Sequence, residues 1–216
     1  NLVGTIALLD LMKQAGISRI AYLSSGGTVY GPLETVPVPE THPLRPNNSY
    51  GIVKVAVESY LDMYRALHGL SPVVIRASNP YGPRQGHSGI QGVVSTFLDR
   101  IARGAPIEIW GDGSVVRDYI YVRELAELIA LACESDVTGP VNAGSGEGVA
   151  LREVLATIER VSGRTADVTY KPARRIDVPV SVLDVTRARE AFGWQARMPL
   201  QDGVARSWSW LQETAA

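Results

Sequence analysis

Arg19-Ile20-Ala21-Tyr22-Leu23-Ser24 and, further along, Val73-Val74-Ile75-Arg76 are short, mostly apolar runs, the composition of strands buried between helices rather than strands with one wet face. Upstream of the first run, Leu2, Ile6, Leu9 and Met12 recur at helical spacing, and Gly16 stands where a helix C-cap belongs. Between the two runs lie a loop rich in Gly and Pro, Gly26 to Pro46, and a long helix. That helix starts near Tyr50, with Asn48 or Ser49 as its cap, and ends near His68-Gly69. The second run leads into the turn-rich Asn79-Pro80-Tyr81-Gly82-Pro83. Helix, strand, helix, strand, with crossovers long enough for parallel pairing, is the order of an α/β layer fold.

Beyond Gly86 the elements shorten: a helix to about Arg103, a strand Ile107 to Trp110, an Asp112-Gly113 turn and a helix Val122 to Cys133. Further helices are expected at Leu151 to Val161, Val185 to Phe192 with Asp184 as cap, and Leu200 to Glu213. The organisation expected is one domain over 1–86 and mainly a cap over 87–216, with segments at about 115–145 returning to the first.

The 216 residues are 45% hydrophobic and 20% charged, which suits a folded globular chain with a sizeable core. A net charge of −1 without any basic run argues against a nucleic-acid partner. No apolar run is long enough to span a membrane, and the first residues lack the order of a signal peptide, so a cytoplasmic protein is expected. The lone Cys133 cannot form an internal disulfide and reads as a small buried core residue. His42, His68 and His87 lack metal-ligand spacing, so no metal is assigned. Trp194, Trp208 and Trp210 read as core or interface aromatics, and Trp110 as either core or a stacking surface for a base.

Chemistry concentrates in Tyr50-Gly51-Ile52-Val53-Lys54, where a separation of four puts phenol and ammonium on one helix face. A free phenol has a pKa of about 10, and a nearby cation favours its ionised form, so such a pair can serve as an acid/base near neutral pH. Just past the first strand stands Ser24-Ser25-Gly26-Gly27-Thr28-Val29-Tyr30-Gly31; just past the second, Ser78-Asn79-Pro80-Tyr81-Gly82-Pro83. In open parallel sheets, ligands bind outside the C-terminal ends of strands, where both segments fall. Hydroxyls from the first and the Asn79 amide are placed to hold a polyhydroxylated ligand beside Tyr50 and Lys54.

These motifs, with Asn1-x-x-Gly4-Thr5, Arg76-x-x-Asn79-Pro80-x-Gly82-Pro83, Gly111-Asp112-Gly113 before Arg117-Asp118-Tyr119, Asn142-Ala143-Gly144 and Arg174-x-x-Asp177 leading to Asp184, occur in one order along the chain. In that order the chain resembles the extended short-chain dehydrogenase/reductases, and among them the nucleotide-sugar epimerases of UDP-glucose 4-epimerase type. The resemblance implies a Rossmann-like parallel sheet with helices on both faces, its N-terminal part missing, and a smaller C-terminal α/β substrate-binding cap. It implies NAD as cofactor, Tyr50 as catalytic acid/base, and Lys54 holding the nicotinamide ribose while depressing the Tyr50 pKa. Asn1, Ser24 and Ser78 would lie against NAD, Asn79 and Asp177 against the sugar nucleotide, and Arg117 and Arg174 against its pyrophosphate, where guanidinium forks suit phosphate oxygens.

Two departures stand out. The family's catalytic Ser or Thr position holds Gly26, so Ser25 or Thr28 must supply the hydroxyl. Gly27 and Thr28 stand where 4,6-dehydratases carry an Asp-Glu pair, which disfavours water elimination. The glycine-rich dinucleotide fingerprint is also missing, and Gly144-x-Gly146-x-Gly148 has the wrong spacing and reads as a turn. If the family order holds, about 90 to 100 preceding residues are absent, and the strand Arg19 to Ser24 lacks a neighbour.

The expected reaction is C4 epimerisation of a UDP-hexose or UDP-N-acetylhexosamine through a 4-keto sugar. The alternatives are a reductase or decarboxylase of the same family, or a non-catalytic nucleotide-sugar binding fragment. Leu8 and Leu11 on the first helix, and Val55, Met63 and Leu67 on the second, lie off the core stripes, and the family's dimer uses these helices. A homodimer is therefore expected.

Overall fold

The computed structural model describes residues 1–85, 92–173 and 178–215. The chain runs α1 (Leu2–Gln14), β1 (Arg19–Ser25), α2 (Ser49–His68), β2 (Ser71–Ala77), β3 (Asn79–Tyr81), α3 (Val93–Arg103), β4 (Ile107–Trp110), β5 (Val116–Tyr121) and α4 (Val122–Glu134). It continues through β6 (Gly139–Ala143), β7 (Gly148–Ala150), α5 (Leu151–Ser162), β8 (Val168–Lys171), β9 (Val180–Ser181), α6 (Thr186–Phe192) and α7 (Leu200–Ala215).

Strands β1, β2 and β6 form a parallel sheet in that order, with Ser24 beside Arg76 and Arg76 beside Asn142 in register. Alternation along each strand sends Ile20, Tyr22 and Val74 to one face, against Leu9 and Met12 of α1 and Val57 and Leu61 of α2. Ala21, Val73 and Ile75 face the other way, onto Leu125, Leu128 and Ala132 of α4 and Ala188 of α6. Burying a side chain such as Leu61 contributes about 1.5–3 kcal/mol. β1 stands at the sheet edge, paired on one side with β2.

The rest packs around a second core of Phe97, Leu98, Ile101, Val154, Ile158 and Trp208, built by α3, α5 and α7. Here β4 pairs with β8 in parallel, while β5 takes β3 and β9 in parallel and β7 antiparallel. The Asp118 carboxylate, fully buried in β5, ties this region together: it accepts from Ser145 N and Oγ at 2.8 Å each, Gly146 N at 3.2 Å and Leu183 N at 3.3 Å. Burial nonetheless pushes its pKa up. A Cβ on Gly144 would collide with that carboxylate, so the glycine is sterically required. The Gly144 to Gly148 segment is thus a turn that seats Asp118.

Several expectations need correction. Cys133 is exposed, because α4 turns Leu128 and Ala132 inward and the next position falls on its outer side. The helix expected from Gly86 begins at Val93, residues 86–91 being outside the described ones. The last short helix starts at Thr186, after Asp184 Oδ1 accepts from Thr186 N at 2.9 Å. Strands β3, β5, β7, β8 and β9 were not foreseen: β3, β7 and β9 have two or three residues, too few to show a period, and polar side chains interrupt the apolar pattern of β5 and β8.

Candidate active site

After Ser25 the chain turns sharply, Gly26 N donating to Ala77 O at 2.7 Å and Val29 N to Ser25 O at 3.1 Å. No side chain fits at Gly26: a Cβ would lie 2.6 Å from Leu183 Cδ1 and 2.9 Å from Arg76 O. Gly51 is equally constrained, since a Cβ there would sit 2.7 Å from Thr28 O. That close approach seats the first turn of α2 on the loop after β1 and brings Tyr50 and Lys54 over the strand ends. The helix start is held by Asn48, whose Oδ1 accepts from Gly51 N at 2.8 Å.

A cavity of about 620 Å³ opens between these ends. Ser24, Ser25, Thr28, Tyr50, Lys54, Ser78, Asn79 and Arg117 all line it, so residues scattered through the sequence meet in one place. Trp110, at the end of β4, lines it too. Asn1 is not among the lining residues; it stands exposed at the start of α1, its carbonyl accepting from Thr5 Oγ1 at 2.9 Å. Arg174 and Asp177 fall outside the described residues.

Lys54 Nζ donates to Leu23 O at 2.6 Å and lies 4.8 Å from the centre of the Tyr22 ring and 5.6 Å from that of Tyr50. Tyr22, half-buried and near Glu58, is pushed up to about 12, chiefly by desolvation. The expected depression of the Tyr50 pKa is not found. Desolvation favours the neutral phenol and raises it. Burial also lowers the Lys54 pKa, against the charge of Glu58, which raises it.

Two buried hydroxyls in the cavity wall, Thr28 Oγ1 and Ser78 Oγ, have no hydrogen-bond partner, and neither has the Gln85 amide oxygen that also lines it. Leaving a buried hydroxyl unpaired costs about 1–3 kcal/mol, so two beside one cavity give it hydrogen-bonding capacity for a polar ligand. Asn79 Nδ2 donates to Asp118 O at 2.8 Å, which sets the orientation of its amide. Arg117 Nη1 donates to Val116 O at 2.8 Å and Val178 O at 2.7 Å, so its guanidinium is held at the cavity wall by two carbonyls.

Sequence reasoning missed the polar layer beneath the cavity. Glu58 and Arg76, both buried, form an ion pair at 2.7 Å, and Ser24 Oγ donates to Glu58 Oε1 at 2.5 Å. Arg76 Nη1 donates to Tyr30 Oη at 3.1 Å, whose own proton goes to Asn142 Oδ1 at 2.6 Å. Ser24 is thus engaged inside the protein as well as at the cavity. The available signals were an Arg within an apolar strand and a Glu one turn beyond Lys54.

Comparison with known proteins agrees with this arrangement. Residues 1–144 match the family described as NAD dependent epimerase/dehydratase. The chain is 38% identical over 208 residues to the UDP-glucose 4-epimerase of Mycolicibacterium smegmatis, covering 96% of this chain and 66% of that protein. Among solved structures, the UDP-glucose 4-epimerase of Thermotoga maritima with UDP-glucose superimposes with a TM-score of 0.96 at 34% identity, covering 100% of this chain and 70% of that one. The Thermus thermophilus UDP-glucose 4-epimerase in complex with NAD gives 0.92 at 36% identity, covering 98% and 69%. The chain spans about two thirds of the length of the curated relatives it matches. On its fold, its cavity and these likenesses, the chain belongs to the NAD dependent epimerase/dehydratase family.

Proposed function

We propose that this chain carries the catalytic and substrate-binding part of an NAD-dependent nucleotide-sugar epimerase, acting at C4 of a UDP-hexose or UDP-N-acetylhexosamine. The observation that carries this reading is the cavity in which Tyr50 and Lys54 stand beside the unpartnered hydroxyls of Thr28 and Ser78. NAD fits that donor set: Lys54 and Tyr50 would hold its ribose, with Ser78 Oγ beside them, and the cofactor when bound supplies the hydride acceptor and donor. Residues 1–86 would form the cofactor side, and 87–216 mainly the substrate cap, apart from the segments that return to the sheet, α4, β6 and α6.

Within that frame Tyr50 Oη takes the proton from the C4 hydroxyl and returns it to the carbonyl oxygen once the 4-keto sugar has presented its other face. Proton and hydride both go back, so the reaction is redox-neutral overall. Thr28 Oγ1 supplies the hydrogen bond to the reacting oxygen, because Leu183 and the Arg76 carbonyl leave no room for a side chain at Gly26. Asn79 and Arg117 face the nucleotide sugar, and Trp110 offers a flat apolar surface to its base. Gly27 is exposed and carries no acid, which sets the chain apart from a dehydratase. Outward-facing Leu8, Leu11, Met63 and Leu67 of α1 and α2 support assembly as a homodimer through these two helices.

The test is incubation of the full protein with NAD and UDP-glucose. UDP-galactose should accumulate to an equilibrium mixture without net formation of NADH. Stoichiometric NADH consumption or release of carbon dioxide would instead assign a reductase or a decarboxylase.

A further inference from the structure

Across the sheet formed by β1, β2 and β6, apolar residues give way one row below the cavity to a polar row. Ser24, Arg76 and Asn142 stand side by side in register and are all buried. Three hydrogen-bonding side chains abreast in a parallel sheet are costly unless each is satisfied, and here each is. Asn142 Nδ2 donates to Val38 O at 2.9 Å and Asp184 O at 3.0 Å, and Tyr30 donates to its Oδ1. Arg76 places Nη1 on Tyr30 and, at 3.0 Å, on Glu40 O, while its Nη2 meets Glu58 Oε2 at 2.7 Å.

Glu58 is the one member of this layer contributed by α2, the helix that carries Tyr50 and Lys54. It lies one turn beyond Lys54, and the two side chains grip adjacent residues of β1: Lys54 donates to Leu23 O, and Glu58 accepts from Ser24 Oγ. We propose that Glu58 is a positioning residue for Tyr50 and Lys54, fastening their helix to the ends of β1 and β2 through Ser24 and Arg76. The inference rests on the role given to Tyr50 and Lys54 above. Among the described residues, the titratable groups at Lys54 are Tyr22 from β1 and Tyr50 and Glu58 from α2, while Arg76 of β2 pairs with Glu58. Glu58 therefore also supplies a negative charge that favours the protonated form of Lys54, against the desolvation that opposes it.

The experiment uses the full protein with Glu58→Gln, which keeps the shape of the side chain and removes its charge. Lysine labelled with 13C at Cε is titrated by NMR; this chain has Lys13, Lys54 and Lys171, and Lys54→Arg identifies the resonance. Lys54 should titrate at least about half a pH unit lower in Glu58→Gln. Turnover should fall by about tenfold while KM for the nucleotide sugar changes less than about threefold. A folded Glu58→Gln protein in which either the Lys54 titration or the turnover is unchanged overturns the proposal.

Should circular dichroism show Glu58→Gln unfolded, Glu58→Asp decides, because it keeps the charge and shortens the reach. Its Lys54 titration should stay near that of the unaltered protein while turnover drops, and normal turnover would sink the idea. Absence of epimerisation by the unaltered protein removes the reaction proposed above and leaves the Lys54 titration as the deciding readout.

Discussion

Tyr50 is the residue on which the proposed chemistry turns, and its surroundings make it a phenol at neutral pH. Desolvation raises its pKa, so the ionised form that accepts the sugar proton grows about tenfold per pH unit below that value. kcat/KM for epimerisation should therefore rise with pH through the neutral range, then fall as Lys54, whose pKa is lowered, loses its proton. A pH profile flat from 6 to 9 would contradict this. Tyr50→Phe should bind the nucleotide sugar yet lose about 10² to 10⁴ in turnover, measured by steady-state assay beside calorimetric binding. At Gly26, restoring the hydroxyl side chain should fail. In Gly26→Ser the new Cβ meets Leu183 and the Arg76 carbonyl, so about 1–3 kcal/mol of stability should go, without any gain in rate. Thermal unfolding and turnover of the same variant check both halves.

At the scale of the element, α2 is the part that aims the site. Asn48 caps it, Gly51 lets it approach the loop after β1, Lys54 and Glu58 grip the end of β1, and Val57 and Leu61 sink into the core between. The anchors therefore alternate with the working residues along one face. Asn48→Ala should cost about 1 kcal/mol, a fall in Tm of roughly 2–4 °C by differential scanning calorimetry. Because Tyr50 lies within that first turn, the same change should lower turnover more than KM. An unchanged Tm would mean that packing at Gly51, rather than the cap, holds the helix start.

For the whole molecule, the outer faces of α1 and α2 pose the main question. Leu8, Leu11, Ile52, Met63 and Leu67 are all more than two-fifths exposed, an apolar strip of the kind an isolated subunit seldom presents to water. Light scattering of the full protein should give twice the subunit mass at micromolar concentration. Leu11→Asp together with Leu67→Asp should shift it towards monomer without unfolding, since both side chains stand outside the core. A monomeric unaltered protein would refute the dimer.

What the sequence determined by itself was local and periodic. Two apolar runs, two long helices, the Asn48 cap, the glycine stop at Gly69 and the Tyr50/Lys54 spacing are written in neighbouring residues and follow from helix and strand geometry. The order of those pieces was enough to place the site at the strand ends. Only the tertiary structure decided which groups meet across long separations. It set Ser24, Arg76 and Asn142 in one row, joined Glu58 to them, and placed Leu183 against Gly26. It also turned Cys133 outward and raised the Tyr50 pKa. Register between strands and the desolvation of a side chain depend on what the folded chain brings alongside, and no spacing along the sequence encodes them.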